Sequence, residues 1–387
     1  MRIALVASPF ISVPPARYGG TELFIGQLAE GLKKQGFDVV VYANGESHLT
    51  TEVRWLYEKD QWPIEGELYA NLKDMNHCAW ALEDAWEEAD IIHLNNVPGV
   101  PYSRFEGPEF VYTIHHPHNQ TLSDFYEFYP QVHYVSISRF QGDLEKMPQL
   151  RTIHHGVDMD RYPLQSKKGD YLAFLGRIAP LKGTHAAIEV AQKTGVPLKI
   201  AGEIQPMYKE YFETQIKPHL DGKFIEYIGE ADLSTKNELL GNARAMLFPI
   251  QWNEPFGLVM IESMAKGTPV IAFPGGAVRE VVCESVSGHI CNSMDDMVNR
   301  VRELEGRFNP VSVRKYAAEN FSVERMVREY ADLYREIGSK SGRKSMSLAP
   351  LNTVEFVPEA SLESALQNLG PDIAALADDT EDPQAVA

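Results

Sequence analysis

Short apolar runs alternate with longer segments of helical period from the amino terminus onward. The run "RIALVA" at residues 2–7 is continuously apolar after its first residue, the pattern of a strand covered on both faces in a parallel sheet. In the following "ARYGGTELFIGQLAEGLKKQG", Leu23, Ile25, Leu28 and Leu32 recur at near-helical spacing and Gly36 ends the pattern. "FDVVVYA" then reads as the next strand, so strand, glycine turn, helix and strand make one right-handed crossover unit.

The alternation continues through a helix at "NHCAWALEDAWEEA" and strands at "DIIHLN", "EFVYTIHH" and "HYVSIS". A connecting segment near "HHGVDMDRYPLQSKKG" separates this series from a second one. There, strands "YLAFLGR", "PLKIAGE", "FIEYIGE", "AMLFPI" and "TPVIAFP" are interleaved with helices "GTHAAIEVAQKTG", "YKEYFETQIKPHL", "TKNELLGNA", the segment after "NEPFG", and "VNRVRELEG". The pattern predicts an α/β protein of two consecutive Rossmann-like, doubly wound domains. A last helix, "SVERMVREYADLYREIG", carries Met326, Tyr330, Leu333 and Ile337 as its apolar stripe and Ser322 as its cap. Residues 339–387 are rich in Ser, Pro, Ala, Asp and Glu and read as a disordered acidic tail, with "SLESALQNL" able to form a transient helix.

Length agrees with this division, since 387 residues exceed a usual single core. A net charge of -18 argues against bulk binding of nucleic acid or an anionic membrane, which need a positive surface. The three cysteines, Cys78, Cys283 and Cys291, lack zinc-ligand spacing and fit a reducing compartment. The first apolar run is too short for a signal peptide and no stretch is long enough to span a bilayer. The expected location is the cytoplasm.

The candidate chemistry lies in "NEPFGLVMIESMA", where Glu254 and Glu262 bracket a proline, a glycine and apolar residues. A helix starting at Gly257 would turn unpaired backbone N–H groups outward, which attract an anion such as phosphate. Two carboxylates beside a phosphate would repel it if they touched it, so they are better suited to accept hydrogen bonds from neutral hydroxyls. A nucleotide sugar offers such hydroxyls on both sides of its diphosphate. Arg177 and Lys182 in "LGRIAPLKGTH" follow a strand directly, at the carboxyl edge where doubly wound sheets bind ligands, and pair a guanidinium fork with a point charge.

These residues resemble the retaining glycosyltransferases of family 4, with the GT-B fold: "YGGTE" after the first strand, "TIHH" late in the first domain, "GRIAPLKG", and the glutamate, seven residues, glutamate signature of "NEPFGLVMIE". The likeness covers roughly residues 1–338. It implies two Rossmann-like domains facing across a cleft: an acceptor-side domain over 1–160, a nucleotide-sugar donor domain over 161–320, and a helix over 321–338 crossing back to the first domain.

The resemblance also implies roles. Arg177 and Lys182 would hold the donor diphosphate, Glu262 the ribose and Glu254 a hydroxyl of the transferred sugar. The backbone amides of Phe256, Gly257, Leu258 and Val259 would contact sugar and phosphates. Gly19 and Gly20 would let a first-domain loop approach the diphosphate, and His115 would face the donor sugar from across the cleft. The reaction implied is hexose transfer from a nucleotide-diphosphate sugar, UDP slightly favoured over GDP, to an unidentified saccharide, lipid-linked or small-molecule hydroxyl. Configuration would be retained, with no metal and no other cofactor.

Several features admit plainer readings. His115, His116 and His118 in "HHPHN" suggest a metal site, but no neighbouring cysteine or carboxylate completes one locally. "DMD" at residues 158–160 reads as linker, because "HHGVD" matches the family's "NGVD" turn with His155 in place of the usual Asn. "GEIQP" lacks the second glycine many relatives carry, which bears on the nucleobase end. Trp55, Tyr57, Trp62, Tyr69, Trp80 and Trp86 read first as core and otherwise as an acceptor platform. Two other functions fit a GT-B architecture: nucleotide-sugar epimerisation, which needs an acid/base pair not evident here, and nucleotide-sugar sensing without turnover.

Overall fold

The computed structural model of the chain describes residues 1–16, 19–64 and 66–340. The expected acidic tail and its "SLESALQNL" helix fall almost wholly outside those residues.

Two parallel sheets organise the described chain. The first runs β3 (Glu52–Trp55), β2 (Asp38–Ala43), β1 (Arg2–Val6), β4 (Ile91–Leu94), β5 (Glu109–Ile114), β6 (His133–Ser136) and β7 (Leu150–Thr152) in spatial order. Ile3, Ala4, Leu5 and Val6 of the central strand have no exposed surface, as its unbroken apolar run requires. The helices of this lobe are α1 (Gly20–Lys34), α2 (Glu67–Ala85), α3 (Gln120–Glu127) and α4 (Arg139–Gly142). On α1 the buried stripe is Phe24, Ile25, Leu28 and Leu32, while Leu23, expected in it, is half-buried.

The second sheet is β10 (Ile225–Tyr227), β9 (Leu198–Ala201), β8 (Leu172–Leu175), β11 (Ala245–Phe248), β12 (Val270–Ala272) and β13 (Gly288–Ile290), again parallel throughout. Its helices are α5 (Thr184–Thr194), α6 (Lys209–Tyr211), α7 (Leu233–Asn242), α8 (Leu258–Ala265), α9 (Val278–Val281), α10 (Met294–Arg302) and α11 (Pro310–Phe321). The helix expected across "YKEYFETQIKPHL" is broken. After α6 the chain makes a π turn at Phe212–Ile216 and a 3-10 turn at Lys217–His219 that contains Pro218, which cannot donate a helical hydrogen bond.

The final helix, α12 (Val323–Lys340), follows α11 of the second lobe directly, yet its buried face joins the core of the first. Met326, Tyr330, Leu333, Tyr334 and Ile337 pack with Ile3, Leu5, Ile25 and Leu28. Ser322 Oγ accepts from the N–H of Arg325 at 3.4 Å, a weak cap. A Cβ on Gly31 of α1 would lie 2.4 Å from Val327 Cγ2, so the close crossing of the two helices depends on that glycine. A buried polar chain fixes the position: Tyr334 Oη to His93 Nδ1 at 2.6 Å, His93 Nε2 to Thr113 Oγ1 at 2.8 Å, and Thr113 Oγ1 to Tyr330 Oη at 2.9 Å. The helix extends to Lys340, two residues into the segment expected to be tail.

Candidate active site

The loops after β8 and β11 place the second-lobe candidates together. Gly176, the residue after β8, packs against Gly202 after β9, where a Cβ on Gly202 (φ 158°) would lie 1.7 Å from the Gly176 carbonyl oxygen. Arg177 follows directly. The Arg177 guanidinium donates to Gln205 Oε1 at 3.3 Å, and its buried Nε has no partner among the described residues. Gly183 at φ 75° then turns the chain into α5, a conformation open to glycine, and a Cβ there would strike the Pro249 carbonyl oxygen at 1.9 Å.

Lys182, just before that turn, reaches Glu254. Its Nζ lies 2.6 Å from Glu254 Oε2 and 4.6 Å over the Trp252 ring, and Trp252 Nε1 donates to the same carboxylate oxygen at 2.9 Å. Glu254 is 8% exposed, so the pair is largely out of water and its attraction is correspondingly strong. Gly257 at φ 85° begins α8 with no side-chain cap. Among the described residues nothing accepts from the N–H groups of Gly257, Leu258 or Val259, which leaves an uncapped positive helix end beside Lys182 and Glu254.

Glu262 lies one turn further on and is 2% exposed. Tyr162 Oη donates to its Oε1 at 2.7 Å and Lys236 Nζ approaches both oxygens, at 3.0 and 3.3 Å. Burial and this carboxylate together push the Tyr162 hydroxyl far above the usual phenol range, so it stays a donor. Tyr162 and Lys236 carry no motif in the sequence; proximity in the fold alone reveals them.

The first lobe meets this loop through glycine. A Cβ on Gly20 would come within 3.3 Å of Leu258 Cδ1, the first residue of α8. Phe256, 2% exposed, is held by His155 of the interlobe segment, edge-on at 5.3 Å, and by Phe321 at the end of α11, at 6.0 Å between centroids. His155 in turn stacks on His115 at 5.6 Å and 9°. His115 Nε2 hydrogen-bonds Asn95 Oδ1 at 2.9 Å while Asn95 Nδ2 donates to the Val6 carbonyl, so Nε2 carries a proton. Burial, with His155 adding to it, holds His115 well below the usual imidazole range. His155 is therefore the ring that joins His115 to Phe256 and the loop before α8.

The other histidines of "HHPHN" are engaged elsewhere. His116 Nε2 is 2.6 Å from Tyr126 Oη, and His118 Nδ1 is 3.0 Å from Glu145, which also accepts from Ser123. Among the described residues no three His, Cys, Asp or Glu side chains converge as a metal site, and no helix is long and apolar enough to cross a membrane. Trp80 and Trp86 are partly buried against the first-lobe core, whereas Trp55, Trp62 and Tyr69 are 49%, 40% and 55% exposed, so the core reading of the aromatic group holds for part of it.

Residues 159–318 match the family model of glycosyl transferases group 1, and residues 18–161 match that of glycosyltransferase family 4. The chain belongs to the family 4 glycosyltransferases. This glycosyltransferase is 22% identical over 404 residues to spore coat protein SA of Bacillus subtilis (strain 168), covering 87% of the present chain and 100% of that protein. Its fold matches AviGT4, a glycosyltransferase involved in avilamycin A biosynthesis, with a TM-score of 0.67 at 24% identity over 87% and 98% of the two chains. It also matches Anabaena Alr3699/HepE, whose structure was solved in complex with UDP-glucose, with a TM-score of 0.68 at 17% identity over 87% and 100%. The two sheets form the GT-B architecture of these enzymes.

Proposed function

We propose that this glycosyltransferase moves a hexose from a nucleoside-diphosphate sugar, UDP favoured, to an acceptor hydroxyl with retention of configuration and without a metal ion. The observation that carries the proposal is the convergence of the unpartnered Arg177 Nε, the Lys182–Glu254 pair and the uncapped start of α8 at the edge of the second sheet. The UDP-glucose held by Alr3699/HepE supports the choice of donor class.

In this proposal Arg177, Lys182 and the N–H groups of Gly257, Leu258 and Val259 neutralise the diphosphate as it departs, replacing a divalent cation. Gly20, beside the start of α8, admits the diphosphate from the first lobe, and Gly19 shapes the turn ahead of it. Glu262, oriented by Tyr162 and Lys236, accepts from the ribose; Glu254, oriented by Trp252, accepts from a hydroxyl of the transferred sugar. The neutral His115 ring faces the sugar and adds no charge near the forming cation-like carbon. The acceptor attacks from the face the diphosphate leaves, and the leaving phosphate oxygen takes the acceptor proton.

The experiment is proton NMR of the first sugar product released from an α-linked nucleotide sugar. An α-configured product before mutarotation is expected. A β-configured first product overturns retention.

A further inference from the structure

Glu22 is buried where charge is costly. It is the third residue of α1, immediately after the glycine turn, and is only 7% exposed. Acidic residues are favourable in a first helical turn, exposed or partly buried, but this one is almost wholly out of water. Burial pushes this carboxyl up to about 7, eased only by its own backbone N–H, and among the described residues no side chain donates a hydrogen bond to it. An uncompensated buried carboxylate is a liability to folding, retained where a ligand supplies the missing donor.

The glycine turn says where that ligand sits. A Cβ on Gly19 (φ 152°) would lie 2.8 Å from Glu22 Oε2, so the carboxylate folds back over Gly19 and would exclude any side chain there. On the next residue, a Cβ on Gly20 would meet Leu258 Cδ1 at 3.3 Å. Successive Cα atoms are about 3.8 Å apart, so the turn has Glu22 against one residue and the start of α8 against the next.

We propose that the Glu22 carboxylate accepts the hydrogen bond of the incoming acceptor hydroxyl and aims its oxygen at the anomeric carbon. The inference rests on the glycosyl-transfer function above. In the step, the bond from the anomeric carbon to the diphosphate oxygen breaks and the bond to the acceptor oxygen forms. The acceptor proton passes to the leaving phosphate oxygen; Glu22 neither gains nor loses a proton in the step, the hydroxyl that donates to it favouring its ionised form. Glu22 thus belongs to the acceptor, whereas Glu254 and Glu262 belong to the donor.

Water serves as the acceptor probe. The full chain is first tested for thermal stabilisation by UDP-glucose, GDP-glucose and ADP-glucose, and release of free glucose is then followed from whichever binds, for wild type, Glu22→Gln and Glu22→Asp. Glu22→Gln should melt no lower than wild type, keep the nucleotide-dependent shift, and release glucose at least tenfold more slowly, with Glu22→Asp intermediate. Wild-type hydrolysis in Glu22→Gln, a lost nucleotide shift in that variant, or nucleotide binding without hydrolysis in the wild type overturns the acceptor role. A wild type stabilised by none of the three nucleotides fails earlier, at the donor site, and takes the Glu22 proposal with it.

Discussion

Lys182 Nζ sits 2.6 Å from Glu254 Oε2, in a pair whose side chains are 15% and 11% exposed. With so little water to screen it, removal of one partner strands the other. Lys182→Ala is expected to destabilise the fold by about 3 kcal/mol and to lower donor turnover on the order of 10²-fold or more, the scale of losing one charge-stabilising group. Lys182→Arg keeps the charge but forks it, and should recover stability better than turnover. Equal recovery of both would argue that the pair is merely structural.

Tyr162 aims Glu262, so its hydroxyl is expected to matter for nucleotide binding without touching the nucleotide. Tyr162→Phe removes a hydrogen bond to a buried carboxylate, worth about 1.5–3 kcal/mol. Its donor affinity should fall by roughly the tenfold that 1.4 kcal/mol represents, and less than in Glu262→Ala. A variant with unchanged affinity, measured calorimetrically, would remove Tyr162 from the site.

Acid should unfold the first lobe through its buried imidazoles. Burial lowers His93 from 6.5 to about 3, and His155 likewise to about 3 with His154 and Arg325 adding to it. Below pH 6.5 the unfolded chain takes up protons that the folded chain refuses until about pH 3, so stability is full above 6.5 and falls as pH drops. Each imidazole contributes about 1.4 kcal/mol per pH unit in that window. Glu22, raised from 4.5 to about 7 by burial, and Asp74, raised from 3.8 to about 6, pull the opposite way over their own windows, while burial also lowers His77 to about 4 and His115 well below the usual range, so the imidazoles outnumber the two carboxyls. Melting temperature should therefore decline from about pH 6.5 towards 4.5, less steeply in His93→Gln. A profile as steep in that variant as in wild type would contradict the assignment.

The clasp of α12 on α1 yields a stability prediction far from the site. Tyr334→Phe leaves His93 Nδ1 without its partner in a fully buried position and should cost about 1–3 kcal/mol. Gly31→Leu drives a side chain into Val327, which a Cβ alone would already approach to 2.4 Å, and should cost at least as much. Chemical denaturation of each variant measures it, and wild-type stability in both would mean α12 is not held as described.

Much of this molecule was legible in its sequence because its information is local. The apolar runs of β1, β2 and β8 are unbroken since both faces of a parallel sheet are covered, and the helix starts carry their glycines at the turns. The edge strands β3 and β7 were not legible: "EVRW" and "LRT" have exposed faces, and Arg54 spends its charge on Glu52, Asp84 and Glu88. Glu254, Glu262, Arg177 and Lys182 stood out because short motifs fix their spacing. Tyr162, Lys236 and Glu22 did not, since each gains meaning only from a neighbour that the fold brings up, 100 residues away for Tyr162 and Glu262; His155 stood out as a departure from the family's Asn, but its stacking on His115 is visible in the fold alone.

The central claim, a nucleoside-diphosphate sugar held by the second lobe, is tested most directly by calorimetric titration of UDP-glucose, GDP-glucose and ADP-glucose into wild type, Lys182→Ala and Glu262→Ala. One nucleotide sugar should bind the wild type selectively and bind each variant at least tenfold more weakly. No binding of any of the three to the wild type, or wild-type affinity in both variants, would contradict it.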